Sequence, residues 1–223
     1  MKQEEMKISR LYDTSHSIVG RMMAQFTYPW EVLPHIEEWI QALGQVLPEN
    51  EYQKFGESIW VHRSAKVAPS AALGKNIIIC QGAEVRHCAF LRGNAIVGAE
   101  AVVGNSTELK NVILFDKVQV PHYNYVGDSV LGFKSHMGAG SITSNVKSDK
   151  TLVKVHAEDG DIETGLKKFG AMLGDNVEVG CGSVLNPGTV IGRNTNIYPL
   201  SSVRGGVSAN SIYKRQGEVA EKQ

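Results

Sequence analysis

The sequence predicts a mainly β protein: a parallel β-helix of hexapeptide repeats behind a small helical N-terminal segment. Three observations predict it. Apolar residues recur at every sixth position, first as Val61, Val67, Leu73, Ile79, Val85, Leu91, Val97, Val103, Leu109 and Phe115, then as Leu173, Val179, Leu185, Ile191, Ile197 and Val203. With 42% of residues hydrophobic, ten consecutive hits in one phase arise by chance about 2 times in 10,000. The fifth place of each hexad is small or β-branched: Ala65, Ala71, Ala83, Ala89, Ala95, Ala101 and Thr107, later Ser135, Ser141, Val177, Ser183, Thr189, Thr195 and Ser201, with Ile77 the exception. Glycine reaches 23 of 223 residues while aromatics stay at 7%, so small residues recur for a geometric reason rather than filling an ordinary core.

Neither a period of 3.6 nor strict alternation produces this pattern, whereas short strands joined by tight corners do. Each hexad forms one side of a prism and aims its apolar residue at the axis. Glycine often follows that residue, as at positions 74, 98, 104, 132, 138, 174, 180 and 192, which suggests corners with unusual backbone angles. Three sides close a coil of ~18 residues, and coils stack at ~4.8 Å. Such hexads resemble the left-handed β-helix family. The hand comes from that resemblance, because spacing alone does not fix it.

In chain order, residues 1–58 form an N-terminal helical cap or arm. Within it, 34–47 reads as a helix with Ile36, Trp39, Ile40, Leu43 and Leu47 on one face, and it is expected to cover the open edge of the first coil. Residues 59–207 form the β-helix. Its phase slips between Phe115 and Leu131, a gap of 16, which predicts an interruption of the prism. Residues 145–170 are too polar to lie inside and read as an extruded loop. A tail, 208–223, completes the chain.

Charge narrows the function classes. Lysine plus arginine and aspartate plus glutamate both number 23, so there is no bulk attraction to nucleic acid or anionic lipid. Cys80, Cys88 and Cys181 are an odd number without paired spacing, as in a reducing cytosol, and read as space-filling thiols. No stretch approaches the ~20 apolar residues of a membrane span, and the start is charged rather than signal-like. A cytoplasmic protein is expected, with neither nucleic acid nor membrane as partner.

The candidate chemistry lies at Val120-Pro-His-Tyr-Asn-Tyr-Val-Gly-Asp128, inside the phase slip, where His122, Asn124 and Tyr125 are expected to be displayed. Arg92 and Lys110 each follow an apolar anchor and must project outward. Together these supply an imidazole for proton transfer, cations for a phosphate, and amide and hydroxyl groups for orientation.

The run from His122 to Asp128, with Gly138-Ala-Gly-Ser-Ile-Thr-Ser-Asn145, resembles the acetyltransferase domain of bacterial bifunctional UDP-N-acetylglucosamine pyrophosphorylase/glucosamine-1-phosphate acetyltransferase. With the longer loop and Leu166-Lys-Lys-Phe-Gly-Ala-Met-Leu-Gly-Asp175, it resembles still more the archaeal sugar-1-phosphate nucleotidylyltransferases that carry the same β-helix. The resemblance covers roughly residues 60–207. It implies acetyl transfer from acetyl-CoA to an amino-sugar phosphate by a homotrimer with clefts between subunits, and no metal is required. By resemblance His122 is the general base, Asn145 orients it, and the Ala139 N–H steadies the thioester oxyanion. Arg92, Lys110 and Tyr125 hold the sugar phosphate, and Ala139, Cys181 and Pro199 line the cofactor path.

Two departures qualify it. Asn145 is followed by Val146-Lys147-Ser148-Asp149 instead of Tyr-Asp-Gly, so that loop's contacts do not carry over, although lysines 147, 150, 154, 167 and 168 are placed to meet phosphates. Residues 1–58 are too few for a nucleotidyltransferase domain, and uridylyl transfer is expected to be absent. Two alternatives stand beside the transferase: a non-catalytic trimeric sugar-phosphate or nucleotide-sugar binding protein, and a γ-carbonic-anhydrase-like zinc enzyme using histidines among 62, 87, 122, 136 and 156.

Overall fold

The computed structural model describes residues 1–215 and 217–222. From Ile59 onward the chain winds into a left-handed parallel β-helix. One face stacks Leu73, Leu91, Leu109, Val126, Thr143, Leu185 and Val203 as inward register partners. The second stacks Ile79, Val97, Leu114, Leu131, Leu173, Ile191 and Val207. The third stacks Val67, Val85, Val103, Val120, Met137, Val179, Ile197 and Tyr213.

The phase slip has a different form from the one expected. Leu91 pairs with Leu109, 18 residues on, but Val97 pairs with Leu114, 17 on. Leu114 then pairs with Leu131, again 17 on. Two sides, Leu109 to Leu114 and Val126 to Leu131, are therefore one residue short, and the prism continues uninterrupted through both. Phe115 is consequently not axial. Its ring lies against Tyr12 of the N-terminal arm with centroids 5.1 Å apart.

The eight glycines also act differently from expectation. None has positive φ; that conformation falls two residues later, at Asn76, Glu100, Ser106, Lys134, Gly140, Asn176, Gly182 and Asn194. The glycines are set by contact between coils: a Cβ on Gly104 would meet the Pro121 carbonyl oxygen at 1.6 Å. Only a residue without a side chain lets the corner carrying His122 settle on the coil before it.

Residues 1–58 do more than cap an edge. The outward row of the second face is apolar and fully buried, at Ile78, Ile96, Ile113, Val130, Met172 and Val190, and the arm lies over it. The arm starts at the late coils, where Asp175 N–H donates to the Leu11 carbonyl at 3.0 Å, and runs back to the early ones. There Gln41 donates to Asn76 at 2.6 Å. Its helix, Ile36–Gly44, turns Ile36, Trp39 and Ile40 inward, and residues 29–35 form a tighter 3₁₀ turn ahead of it. Each such apolar side chain contributes about 1.5–3 kcal/mol. The strand Tyr52–Phe55, antiparallel to Ile59–His62, covers the first edge.

The 145–170 excursion folds back rather than standing free. Lys154–Val155 and Ile162–Glu163 pair as a hairpin, Val153, Val155 and Phe169 are buried, and Glu158 meets the Met1 ammonium. The tail contributes Ser211–Arg215 to the last coil and turns back as Glu218–Glu221. Among the described residues no helix is long and apolar enough to cross a membrane.

Candidate functional site

The predicted residues gather on two edges of the first face. Along one edge, residues of successive coils stack in a column: His87, Asn105, His122, Ala139, Cys181 and Pro199. Backbone bonds tie the column together, from Ser106 N–H to His87 O, Tyr123 N–H to Asn105 O, Gly140 N–H to His122 O, Gly182 N–H to Ala139 O and Leu200 N–H to Cys181 O. His122, Ala139, Cys181 and Pro199 are all exposed. Among the described residues the His122 ring and the Ala139 N–H have no hydrogen-bond partner, so an imidazole and a backbone donor one coil apart both face solvent.

Asn124 was expected on display beside His122; it is instead buried, 2% exposed. It occupies the inward fifth place that Thr107 and Ser141 hold in neighbouring coils. Its side-chain oxygen accepts the His122 N–H at 3.1 Å, and its nitrogen donates to the carbonyls of Gly138 at 2.9 Å and Ser141 at 3.0 Å. One amide thus joins the imidazole corner to the Ala139 corner, and all of its polar atoms are satisfied. Polarity suggested exposure; only the corrected phase reveals the inward position.

The opposite edge holds a polar cluster centred on Asp128, a residue the sequence reading did not single out. Asp128 is 4% exposed and accepts from Lys110 Nζ at 2.9 Å through both oxygens, from Asn111 at 3.1 Å and from Asn145 at 2.5 Å. Asn145 also donates to the Tyr125 hydroxyl at 3.2 Å. Burial, then the Asp128 charge, raises the Tyr125 phenol above its usual pKa. Asparagines 76, 94 and 111, each in the left-handed region, pass hydrogen bonds down the corner to Asp128. The sequence signal for this ladder is asparagine or aspartate recurring every 17 or 18 residues.

Lys110, Tyr125 and Asn145 therefore come together, and Arg92 lies three coils from Asn145 and pairs with Glu108 at 3.3 Å. Within one chain His122 is not among them. The side chain of Asn145 is bonded to Asp128 and Tyr125 rather than to the imidazole. The other four histidines weighed for zinc each bond a hydroxyl or carboxylate: His62 with Ser64, His87 with Ser70, His136 with Glu178 and His156 with Asp161. Among the described residues of one chain, no three histidine, cysteine or acidic side chains converge.

No family model matches the chain. It is similar to the bifunctional protein GlmU of Methanococcus vannielii, 29% identical over 197 residues that make up 80% of this chain and 47% of that protein. A second GlmU, from Methanococcus maripaludis, is 34% identical over 136 residues, 60% of this chain and 33% of that one. The bifunctional sugar-1-phosphate nucleotidylyltransferase/acetyltransferase of Sulfurisphaera tokodaii is 33% identical over 125 residues, 56% of this chain and 31% of that one. The chain thus matches from 31% to 47% of the length of these relatives, and the resemblance read from its motifs is borne out. A solved hexapeptide transferase family protein from Anaplasma phagocytophilum aligns with a TM-score of 0.41 at 15% identity, covering 73% of this chain and 78% of that one.

Proposed function

We propose that this chain is an acyltransferase that moves the acetyl group of acetyl-CoA to the amine of an amino-sugar phosphate of the glucosamine 1-phosphate kind. The observation that carries the reading is the exposed edge column in which His122, anchored by Asn124, sits one coil from the unpartnered N–H of Ala139. The similarity to a nucleotidylyltransferase/acetyltransferase supports it.

The chemistry follows from these groups. An ammonium has no lone pair, so the imidazole of His122 removes a proton, an effect typically worth 10²–10⁴ in rate. The amine nitrogen then attacks the thioester carbonyl. Negative charge developing on that oxygen is met by the Ala139 N–H, a fixed donor that needs no reorganisation. As the C–S bond breaks, the imidazolium returns its proton to the departing thiolate, and the attacking nitrogen, which still carries two hydrogens, releases one to solvent, giving amide, CoA thiol and one free proton. Cys181 and Pro199 continue the same edge and form the path along which acetyl-CoA lies.

The site is completed by a second copy in a homotrimer. Tyr125, Lys110 and Asn145 occupy one edge of the first face and His122 the other, so a threefold arrangement that packs first faces together brings the two edges of neighbouring chains into one cleft. The outward row of that face supports this arrangement: Ala72, Phe90, Ile142 and Val184 are apolar and only partly buried or exposed, beside Glu108, Tyr125 and Ser202, whereas the third face carries Lys66, Glu84, Gln119, His136, Glu178 and Asn196 outward, with Val102 and Ile212 its apolar members.

The test is transfer of label from acetyl-CoA to a panel of amino sugars with and without phosphate. Labelled amide product is expected with a phosphorylated amino sugar. Absence of product across the panel, with sugar phosphate still bound, replaces the enzyme by the binding protein.

A further inference from the structure

The edge that carries Arg92 and Lys110 continues, residue by residue, through Gly127, Ser144 and Asn186 to Arg204, which are successive neighbours in the first-face register. Of its three cations, two are neutralised within the chain: Lys110 by Asp128 at 2.9 Å and Arg92 by Glu108 at 3.3 Å. Arg204 is exposed and has no carboxylate within 4 Å among the described residues. It lines a polar recess of about 280 Å³ with Ser144, Lys147, Ser148, Asp149 and Asn186.

The recess holds two cations against one carboxylate. Asp149 is occupied by the Thr151 N–H at 3.0 Å and hydroxyl at 2.8 Å, with Lys147 Nζ at 3.5 Å. Both amide hydrogens of Asn186 are spent on Ser202 and Val203. Lys147 Nζ also donates to the Thr151 hydroxyl at 2.6 Å, so the group left without an ionic partner is the Arg204 guanidinium, with the hydroxyls of Ser144 and Ser148 beside it as further donors to a phosphoryl group. Arginine is the side chain that meets phosphate with two parallel N–H bonds.

We infer that this recess is a phosphoryl-binding subsite, taking the phosphate ester of a small molecule. The two available sources are the acceptor's sugar phosphate and the phosphates of CoA. The inference extends the proposed function, because the cations first expected to meet the sugar phosphate are already paired, but it stands on the recess and is tested without turnover.

The test measures binding of orthophosphate by ³¹P line broadening, and of glucosamine 1-phosphate against glucosamine and CoA against 3′-dephospho-CoA by calorimetry, for the full chain and for Arg204→Ala and Arg204→Lys. Arg204→Ala is expected to weaken orthophosphate at least tenfold and to erase the phosphate-dependent preference in one ligand pair, which identifies the source. Arg204→Lys restores part of it, and glucosamine itself is unaffected. Equal melting temperatures establish that the exposed substitution leaves the fold intact. Unchanged orthophosphate and ester binding in Arg204→Ala, or no binding by the unaltered chain, overturns the inference. A chain that fails to transfer acetyl groups yet loses phosphate affinity on Arg204→Ala keeps the recess and ends the transferase reading.

Discussion

Asn124 holds the backbone of His122 from inside the prism: its buried side-chain oxygen accepts the His122 N–H at 3.1 Å while its nitrogen reaches the Gly138 carbonyl of the next coil at 2.9 Å. An alanine at this inward place would fill space without joining the two corners. Asn124→Ala removes the partner of the His122 N–H and the two bonds to the Gly138 and Ser141 carbonyls and is expected to cost about 1–3 kcal/mol in urea denaturation. Because the imidazole and the Ala139 donor lose their shared anchor, kcat should fall more than KM rises. Equal stability would show that the amide bonds contribute nothing to the corner.

The Lys110–Asp128 pair makes a second prediction. Asp128 is nearly buried and Lys110 only a quarter exposed, so removing the carboxylate strands a cation among amides. Asp128→Ala should destabilise by about 3–5 kcal/mol, and adding Lys110→Met should recover much of that loss. Additive effects in the double variant would mean that the two residues do not interact.

The three thiols should separate by reactivity. Burial pushes the Cys80 thiol up to about 12, whereas Cys88 and Cys181 are exposed. Alkylation at pH 8 should modify two cysteines quickly and Cys80 only on unfolding. Acetyl-CoA should protect Cys181, which lies on the Ala139–Pro199 edge. Peptide mapping that finds Cys181 unprotected at saturating acetyl-CoA would move the cofactor off that edge.

Asp116 gives a pH signature. Burial, opposed by the Ala99 N–H, raises its carboxyl above the ordinary value, so the folded chain binds that proton more tightly than the unfolded chain. Its contribution is fully present below the unfolded pKa of about 3.9 and is lost as pH rises through the higher folded value. Asp116→Asn still accepts from Ala99 but cannot titrate, so the difference in denaturation midpoint between variant and parent should change over that window and level off above it. A difference independent of pH would contradict the assignment.

Much of the fold was legible in the residues. The hexads placed Leu73, Leu91 and Leu109 on the axis, and the small fifth residues, Ala83 to Thr195, are buried as that reading requires. Counting failed at Phe115 because Leu114 is equally apolar, and a side shortened by one residue leaves no mark in composition. The same one-residue error made Asn124 look displayed. The arm's location was also written in the chain: Ile78, Ile96, Ile113, Val130, Met172 and Val190 are apolar at an outward place in every third hexad, which a solvent-facing side does not need. What a single chain's sequence could not supply was the separation of His122 from Asn145, since both lie on short motifs but on different edges of one face.

The trimer is tested by size and by activity together. Val184→Glu places a charge on the outward row of the first face, where its register neighbours are Ile142 and Ser202 rather than a member of either edge cluster. Light scattering is expected to show a trimer for the parent chain and a smaller species for the variant, with transfer activity lost in parallel. A parent chain that is monomeric yet active would remove the intersubunit cleft.

The most direct measurement compares label transfer from acetyl-CoA to glucosamine 1-phosphate by the parent chain and by His122→Ala. The account predicts transfer by the parent and at least a hundredfold lower turnover in the variant, with the melting temperature unchanged because the ring is exposed and makes no bond among the described residues. Equal turnover in the two proteins would contradict it.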